Sequence, residues 1–102
     1  MNVTNNLSDN YIKVCQLILN NIKSYYTETL KTDLTPDNFI EIISNEIYNK
    51  KQVTNISDTY KLSCRHIFDS IKTHISTDLN VDIQDNQMSD ILKEIYCAET
   101  NK

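Results

Sequence analysis

The chain has 102 residues, of which 39% are hydrophobic and 24% are charged, and its formal net charge is −4. Because the charge is acidic and glycine is absent, the composition argues against a phosphate-backbone binder and excludes glycine-rich phosphate loops. The length predicts one domain, 1–102, with flexible ends at about 1–7 and 99–102.

The N-terminal segment has no secretion signal, and no apolar run reaches the ~18 residues that a membrane span needs. We therefore expect an intracellular, cytoplasmic protein that contacts neither membrane nor nucleic acid. The three cysteines form no CxxC motif, which favours reduced thiols over a disulfide framework. No internal repeat, low-complexity block or domain linker is evident.

The first predicted helix begins at Ser8 or Asp9, either of which can cap free N–H groups, and ends near Lys31. One apolar stripe recurs at helical spacing: Tyr11, Val14, Cys15, Ile18, Ile22 and Tyr25. A second row lies about 100° further round: Ile12, Leu19, Tyr26 and Leu30. Either this helix is central to a bundle or its second row meets another chain. We predict that Leu19, Tyr26 and Leu30 contact a partner.

The second predicted helix has the clearest start signal, with Thr35 at the N-cap and Pro36 at the first helical position. It extends to Lys50 and Lys51, and its inner face is formed by Phe39, Ile40, Ile43 and Ile47. A short polar connector, 51–57, leads to a third helix that is capped by Ser57 or Asp58 and ends near Ser76.

The third helix contains a cysteine and both histidines of the chain, a combination that zinc sites and nucleophilic catalysis use. Cys64 belongs to the predicted apolar face, which comprises Tyr60, Cys64, Ile67, Phe68, Ile71 and Ile75. His66 lies about 200° away from Cys64 and faces solvent, while His74 lies at the edge of that face. Neither histidine has, at the i, i+3 or i, i+4 spacing of a helical metal pair, a carboxylate or thiol that completes a site. We interpret this run as core rather than as chemistry, and predict no cofactor and no metal.

The segment 77–87 alternates apolar and polar residues and is predicted as an extended loop, with a brief strand at 79–83 as the alternative. A last helix runs from Asn86 or Ser89 to Glu99, with its inner face formed by Met88, Ile91, Leu92 and Ile95. Cys97 lies nearly opposite that face, so we expect an exposed thiol there.

The segment DLTPDNFIEIISNEIYNKK, with the polar turn and helix that follow, resembles small uncharacterised α-helical proteins of nucleocytoplasmic large DNA viruses. The resemblance covers about residues 15–75 and includes the Thr-Pro-acid-Asn-Phe-Ile helix start and the isoleucine-rich helix. It implies a viral accessory or virion-associated protein without catalytic residues. The long apolar tail helix of that class is replaced here by the short helix from Met88 to Glu99.

These features together predict an all-α, single-domain four-helix bundle with short polar connectors. The predicted function is a non-enzymatic structural or protein–protein interaction module whose exposed helix faces meet a protein partner or a second copy. The first alternative is a small regulator that binds a partner helix in an apolar groove. An enzyme and a DNA-binding helix-turn-helix protein rank below both, because no catalytic pair and no basic helix face is evident.

Overall fold

A computed structural model describes residues 6–98. It confirms the predicted all-α four-helix domain. The helices are α1 (Asp9–Leu30), α2 (Pro36–Ile47), α3 (Asp58–Leu79) and α4 (Met88–Tyr96), and a 3₁₀ turn (Asp85–Gln87) leads directly into α4. Within the described residues there is no strand. The loop predicted over 77–87 is confirmed only for 81–84, because α3 continues to Leu79 and the 3₁₀ turn occupies Asp85–Gln87.

The starts of α1, α2 and α3 are set by the capping residues that the sequence indicated, whereas α4, predicted to begin at Asn86 or Ser89, begins at Met88 without a side-chain cap. The side-chain oxygens of Ser8, Thr35 and Ser57 each accept a hydrogen bond from the backbone N–H three residues later, at 3.1, 3.2 and 3.2 Å respectively. The predicted helix ends are less accurate: α2 stops at Ile47, before the lysine pair, and α3 continues past Ser76 to Leu79. The predicted end of α4, Glu99, lies outside the described residues.

The two long helices end in the same way. Lys31 after α1 and Asn80 after α3 both adopt the left-handed conformation with φ of 53°. Glycine usually occupies this position because it has no Cβ, and asparagine tolerates it better than lysine does. Because this chain has no glycine, Lys31 and Asn80 occupy the left-handed position that ends each helix.

One continuous core joins all four helices. From α1 it includes Ile12, Cys15, Leu19, Ile22 and Tyr26. The predicted inner face of α2 is buried, and so is that of α4. The loops contribute as well, since Leu7, Ile56 and Ile83 are buried. Leu7 belongs to the end predicted to be flexible, of which residues 1–5 lie outside the described part, as do 99–102.

The second half of the chain repeats the first, which corrects the sequence-based conclusion that no internal repeat exists. Residues of α1 and α3 correspond at a constant offset of 49, as from Ser8 to Ser57. The identical pairs are Ser8/Ser57, Asp9/Asp58, Tyr11/Tyr60, Cys15/Cys64, Ile18/Ile67, Ile22/Ile71, Lys23/Lys72 and Leu30/Leu79. The same offset relates Lys31 to Asn80, and relates α2 to the 3₁₀ turn plus α4. The sequences of α2 and α4 have diverged, which hides the repeat.

The packing has the approximate twofold symmetry that such a repeat produces. The second helices, α2 and α4, pack against each other, and each first helix packs on the second helix of the other half: α1 on α4, and α3 on α2. Two stacked ring pairs between α1 and α3 are equivalent under the offset. Tyr11 stacks on His74 and Tyr25 stacks on Tyr60, both at 4.1 Å between ring centroids. The fold is therefore two interlocked pairs of helices, held together mainly by contacts between the pairs.

Candidate functional site

The outer surface formed by α1 and α3 carries a shallow apolar groove of about 350 Å³. Its walls include Tyr11, Val14 and Ile18 from α1, and Ile67, Ser70 and His74 from α3. Val14 is 53% exposed and Ile67 is 37% exposed, so apolar surface faces solvent here. We call this surface the α1–α3 face, and we include Leu17, Asn21, Tyr25, Tyr60 and Ser63, which extend it along the two helices.

Ring stacks join the two helices at both ends of this face. The Tyr11–His74 stack lies at one end and the Tyr25–Tyr60 stack at the other, with interplanar angles of 22° and 28°. Burial raises the pKa of both the Tyr11 and the Tyr60 phenol above the usual value. These two phenol hydroxyls therefore stay neutral at physiological pH.

The face contains no Lys, Arg, Asp or Glu. Between Val14 and Tyr25 the only charged residue is Lys23, which lies about 140° round the helix from Ile18. On α3, Lys61 pairs with Glu46 of α2 and Arg65 with Asp85 of the 3₁₀ turn. Asp78 is the exception, since its carboxylate lies 2.9 Å from the His74 Nε2 at one end of the face. Depletion of charge together with exposed aromatic and aliphatic side chains is the composition of the centre of a protein–protein interface.

The residues predicted to contact a partner lie elsewhere, which corrects that prediction. Leu19 and Tyr26 are 0% exposed, and Leu30 is half-buried against the core. Tyr26 makes an edge contact with Phe39 of α2 at 6.0 Å between centroids. The second row of α1 is inside this chain because α2 and α4 cover it. The outer edge of the first stripe, at Val14 and Tyr25, is what remains exposed.

The cysteine–histidine run of α3 is divided between core and surface. Cys64 is buried, as predicted, and burial raises the pKa of its thiol to about 11, which disfavours the reactive thiolate. His66 and His74 are exposed. Ile67, which the sequence assigned to the core, belongs to the groove instead. Among residues 6–98 no three His, Cys, Asp or Glu side chains are grouped so as to hold a metal ion.

Cys97 is exposed at the end of α4, as its position on the helix predicted. Cys15 and Cys64 are both buried and free. The only thiol at the surface of the folded chain is therefore on α4, away from the α1–α3 face.

A buried carboxylate that the sequence analysis did not single out lies between α2 and α3. The side chain of Glu46 is 0% exposed, and its Oε2 accepts hydrogen bonds from the Thr54 N–H at 2.8 Å and from the Thr54 hydroxyl. The same oxygen is 2.9 Å from the Lys61 Nζ. Burial alone raises the pKa of Glu46, but the hydrogen bonds from Thr54 and Lys61 and the lysine charge outweigh it and hold that pKa below its usual value. Glu46 thus stays ionised and ties the 51–57 connector to two helices.

A second charged cluster is centred on Arg65, the only arginine of the chain. Its guanidinium donates to the Ile47 carbonyl and to Asp85, both at 2.9 Å, and it lies over the Tyr48 ring at 5.1 Å. A hydrogen bond from Lys72 at 2.7 Å and the two positive charges hold the pKa of Asp85 below its usual value, against a smaller effect of burial. The cluster closes the C-terminal end of α2 and anchors the 3₁₀ turn, which is a structural role.

Comparison with family models, curated proteins and solved structures finds no match to this chain. In the described part of the chain, no helix has both the length and the apolar character to cross a bilayer.

Proposed function

We propose that this protein is a non-enzymatic protein–protein interaction module that acts through the α1–α3 face. The observation that carries the proposal is the combination of exposed apolar side chains with a stretch that lacks Lys, Arg, Asp and Glu, on a face framed by stacked aromatic rings. The Asp78 carboxylate, paired with His74, lies at one end of this stretch. The rest of the exposed surface of α1 and α3 carries the ordinary mixture of charged and polar groups. A solvated face of a chain with 24% charged residues has no structural reason to lack them.

The state of the perturbed carboxylates supports the non-enzymatic part of the proposal. Both Glu46 and Asp85 have a lowered pKa. Cations or hydrogen-bond donors occupy Oε2 of Glu46 and both oxygens of Asp85, and Oε1 of Glu46, which has no partner, is buried away from any substrate. A general acid or base that works near neutral pH requires a raised carboxyl pKa and an oxygen free to meet a substrate. The ionisable groups between α2, α3 and the 3₁₀ turn therefore hold the fold together.

A second candidate, a regulator that binds a partner helix, is favoured by the groove itself. Docking of an amphipathic helix requires an apolar channel along which successive turns can lie. Here the Tyr11–His74 and Tyr25–Tyr60 stacks bridge the two helices at both ends. We therefore rank a broad face-to-face contact above insertion of a helix into the groove.

The resemblance of residues 15–75 to small helical proteins of nucleocytoplasmic large DNA viruses supports a narrower version of the proposal. In this version the interaction module is a viral accessory or virion-associated protein that works in the cytoplasm of the infected cell.

The test is site-specific photo-crosslinking in the cells that make the protein naturally. A photo-reactive amino acid is placed at Asn21, which is exposed on the α1–α3 face, and in a matched variant at Leu62, which is 58% exposed on another side of α3. We expect a discrete protein adduct from position 21 and none from position 62. Adducts from position 62 alone, or from neither position, would overturn the proposal.

A further inference from the structure

The Glu46–Lys61 ion pair occupies one of two equivalent positions in the internal repeat, and the other position is apolar. Under the 49-residue offset, Lys61 on α3 corresponds to Ile12 on α1, and Glu46 on α2 corresponds to Ile95 on α4. Ile12 and Ile95 are both buried where α1 packs on α4. The Glu46 side chain is 0% exposed and lies 2.9 Å from the Lys61 Nζ, where α3 packs on α2. The two contacts are therefore equivalent in position and different in charge.

A second set of equivalent residues shows how similar these two contacts are elsewhere. The Gln16 amide on α1 donates to the carbonyls of Ile95 and Ala98, at 3.1 and 2.8 Å, where α4 ends. Its equivalent on α3, Arg65, donates to the Ile47 carbonyl at 2.9 Å, where α2 ends. In both contacts a side chain of the first helix thus binds the C-terminal carbonyls of the second helix from the other half. Since either donor suits either helix end, this interaction does not distinguish the two halves.

The ion pair does distinguish them. If the first halves of two copies packed together, Glu46 of each copy would face Ile12 of the other, and the buried carboxylate would lose its lysine. If the second halves packed together, Lys61 would face Ile95 and would lose its glutamate. A first half packed on a second half keeps the pair, whether the two halves come from one chain or from two. Burial of an unpaired charge is strongly unfavourable, so the pair favours unlike halves over like halves.

The connector 48–57 is long enough for the two halves of one chain to pack on different copies. Its ten residues can extend to about 33 Å, and the described residues measure 36 Å along their longest axis. Residues 49–53 are exposed, and Lys50 has a left-handed φ of 54°, which is unfavourable for lysine and is relieved if the connector extends. The principal contacts among the four helices all join one half to the other, so a separated half presents its apolar face to a second copy.

We infer that the Glu46–Lys61 pair selects which halves pack together, and that the partner it admits is a second copy of this chain, bound in a dimer with exchanged halves. The first half of each copy then packs on the second half of the other. Each of the two units keeps an α1–α3 face, formed by α1 of one copy and α3 of the other. The dimer therefore presents two such faces. This inference goes beyond the proposed function and does not depend on it.

The test mixes two single variants, each of which leaves one charge of the pair alone when its chain closes on itself. Lys61→Ile retains Glu46, and Glu46→Ile retains Lys61. When these two variants exchange halves, one unit regains the native ion pair and the other has two isoleucines, as at the α1–α4 contact. The control mixture combines wild type with Glu46→Ile/Lys61→Ile. It contains the same four half-chains, but exchange there leaves both charges without a partner.

Each mixture is unfolded in urea and refolded at about 1 mM, which is comparable to the effective concentration of a half tethered by a short linker. Reductant is present because Cys97 is exposed. One variant of each mixture carries a heavy-isotope label, so native mass spectrometry distinguishes mixed dimers from dimers of one variant. Sedimentation velocity gives the dimer fraction. If a single variant does not fold alone, circular dichroism measures the helix that it recovers on mixing.

We expect the mixture of single variants to form dimers with one chain of each, at least tenfold enriched over dimers of either variant and over mixed dimers in the control. Wild type alone should give a smaller dimer fraction, because its closed chain contains no lone charge. Mixed and unmixed dimers in statistical proportions would overturn the inference, because the pair would then not select. So would a mixture of single variants without dimers, or as many mixed dimers in the control.

Discussion

Removal of the positive charge of Lys61, which faces the buried Glu46, tests whether this ion pair stabilises the α2–α3 interface. Under the 49-residue offset, Lys61 is equivalent to Ile12 and Glu46 is equivalent to Ile95. Ile12 and Ile95 are both buried in the core where α1 meets α4, at 2% and 0% exposure. The contact between α1 and α4 therefore uses two isoleucines where the equivalent contact between α2 and α3 uses an ion pair, and the α1–α4 contact supplies the design of the substitution.

We predict that Lys61→Ile alone lowers the free energy of unfolding by about 3 kcal/mol, the lower end of the range for breaking a buried ion pair. The lower end applies because Thr54 still donates two hydrogen bonds to the carboxylate. In a domain of this size the loss corresponds to a decrease in Tm of about 12 to 24 °C. The double variant Glu46→Ile/Lys61→Ile should recover about half of the loss, since no charge is buried alone and only the Thr54 donors lose their acceptor.

The assay is urea unfolding of the wild-type protein, both single variants and the double variant, with the coupling energy taken from the cycle. Because the pKa of Glu46 is lowered in the folded protein, its ionised form stabilises the fold above the ordinary carboxyl pKa of about 4.3. This contribution is lost as the pH falls through the folded pKa. In Lys61→Ile the lysine no longer lowers that pKa, so the difference from wild type should shrink below about pH 4. A Lys61→Ile variant within about 0.5 kcal/mol of wild type at pH 7 would refute the reasoning.

Three further predictions concern the C-terminal ends of α1 and α3, the core and the cysteine thiols. Lys31→Gly should raise the free energy of unfolding, measured in urea, by about 1 kcal/mol, because a lysine at φ of 53° is strained and a glycine is not. Asn80→Gly should raise it less, because asparagine tolerates this conformation better. Equal effects of the two substitutions would contradict this explanation. Leu19→Ala should lower that free energy by about 2 to 5 kcal/mol, whereas Leu17→Ala, at an exposed position, should change it by less than about 0.5 kcal/mol. With a thiol reagent the native protein should react rapidly at Cys97 alone, and the other two cysteines should react only on unfolding; fast reaction of a second thiol would show that the core opens.

The starts of α1, α2 and α3 could be predicted because they depend on local chemistry. A serine or threonine followed by free N–H groups specifies a cap wherever it occurs, and Ser8, Thr35 and Ser57 all act in this way. The inner faces of α2 and α4 were also predictable, because each has a single narrow apolar stripe. The fold class followed from these elements.

The orientation of α1 was not predictable from its own sequence. Its apolar arc is wide enough to satisfy two directions, and the choice depends on where the other helices lie. Because α2 and α4 cover the row that contains Leu19 and Tyr26, the exposed row is the one with Val14 and Tyr25. Leu19 and Tyr26, which were predicted to contact a partner, are therefore buried in the core, and Val14 and Tyr25 are exposed on the α1–α3 face. The buried Glu46 was missed for a related reason, since its partners Thr54 and Lys61 become neighbours only after the connector folds back.

The internal repeat was available in the sequence and explains why the α1–α3 face exists. In a twofold arrangement of the two halves, the second helices (α2 and α4) pack against each other, and each first helix packs on the second helix of the other half. The two first helices are thereby brought side by side, and stacked rings rather than a third layer of helices join them. No further element of the described chain covers their outer surface. A charged surface would satisfy such a position at no cost in stability, so the scarcity of charge on this face supports the proposed contact with another protein.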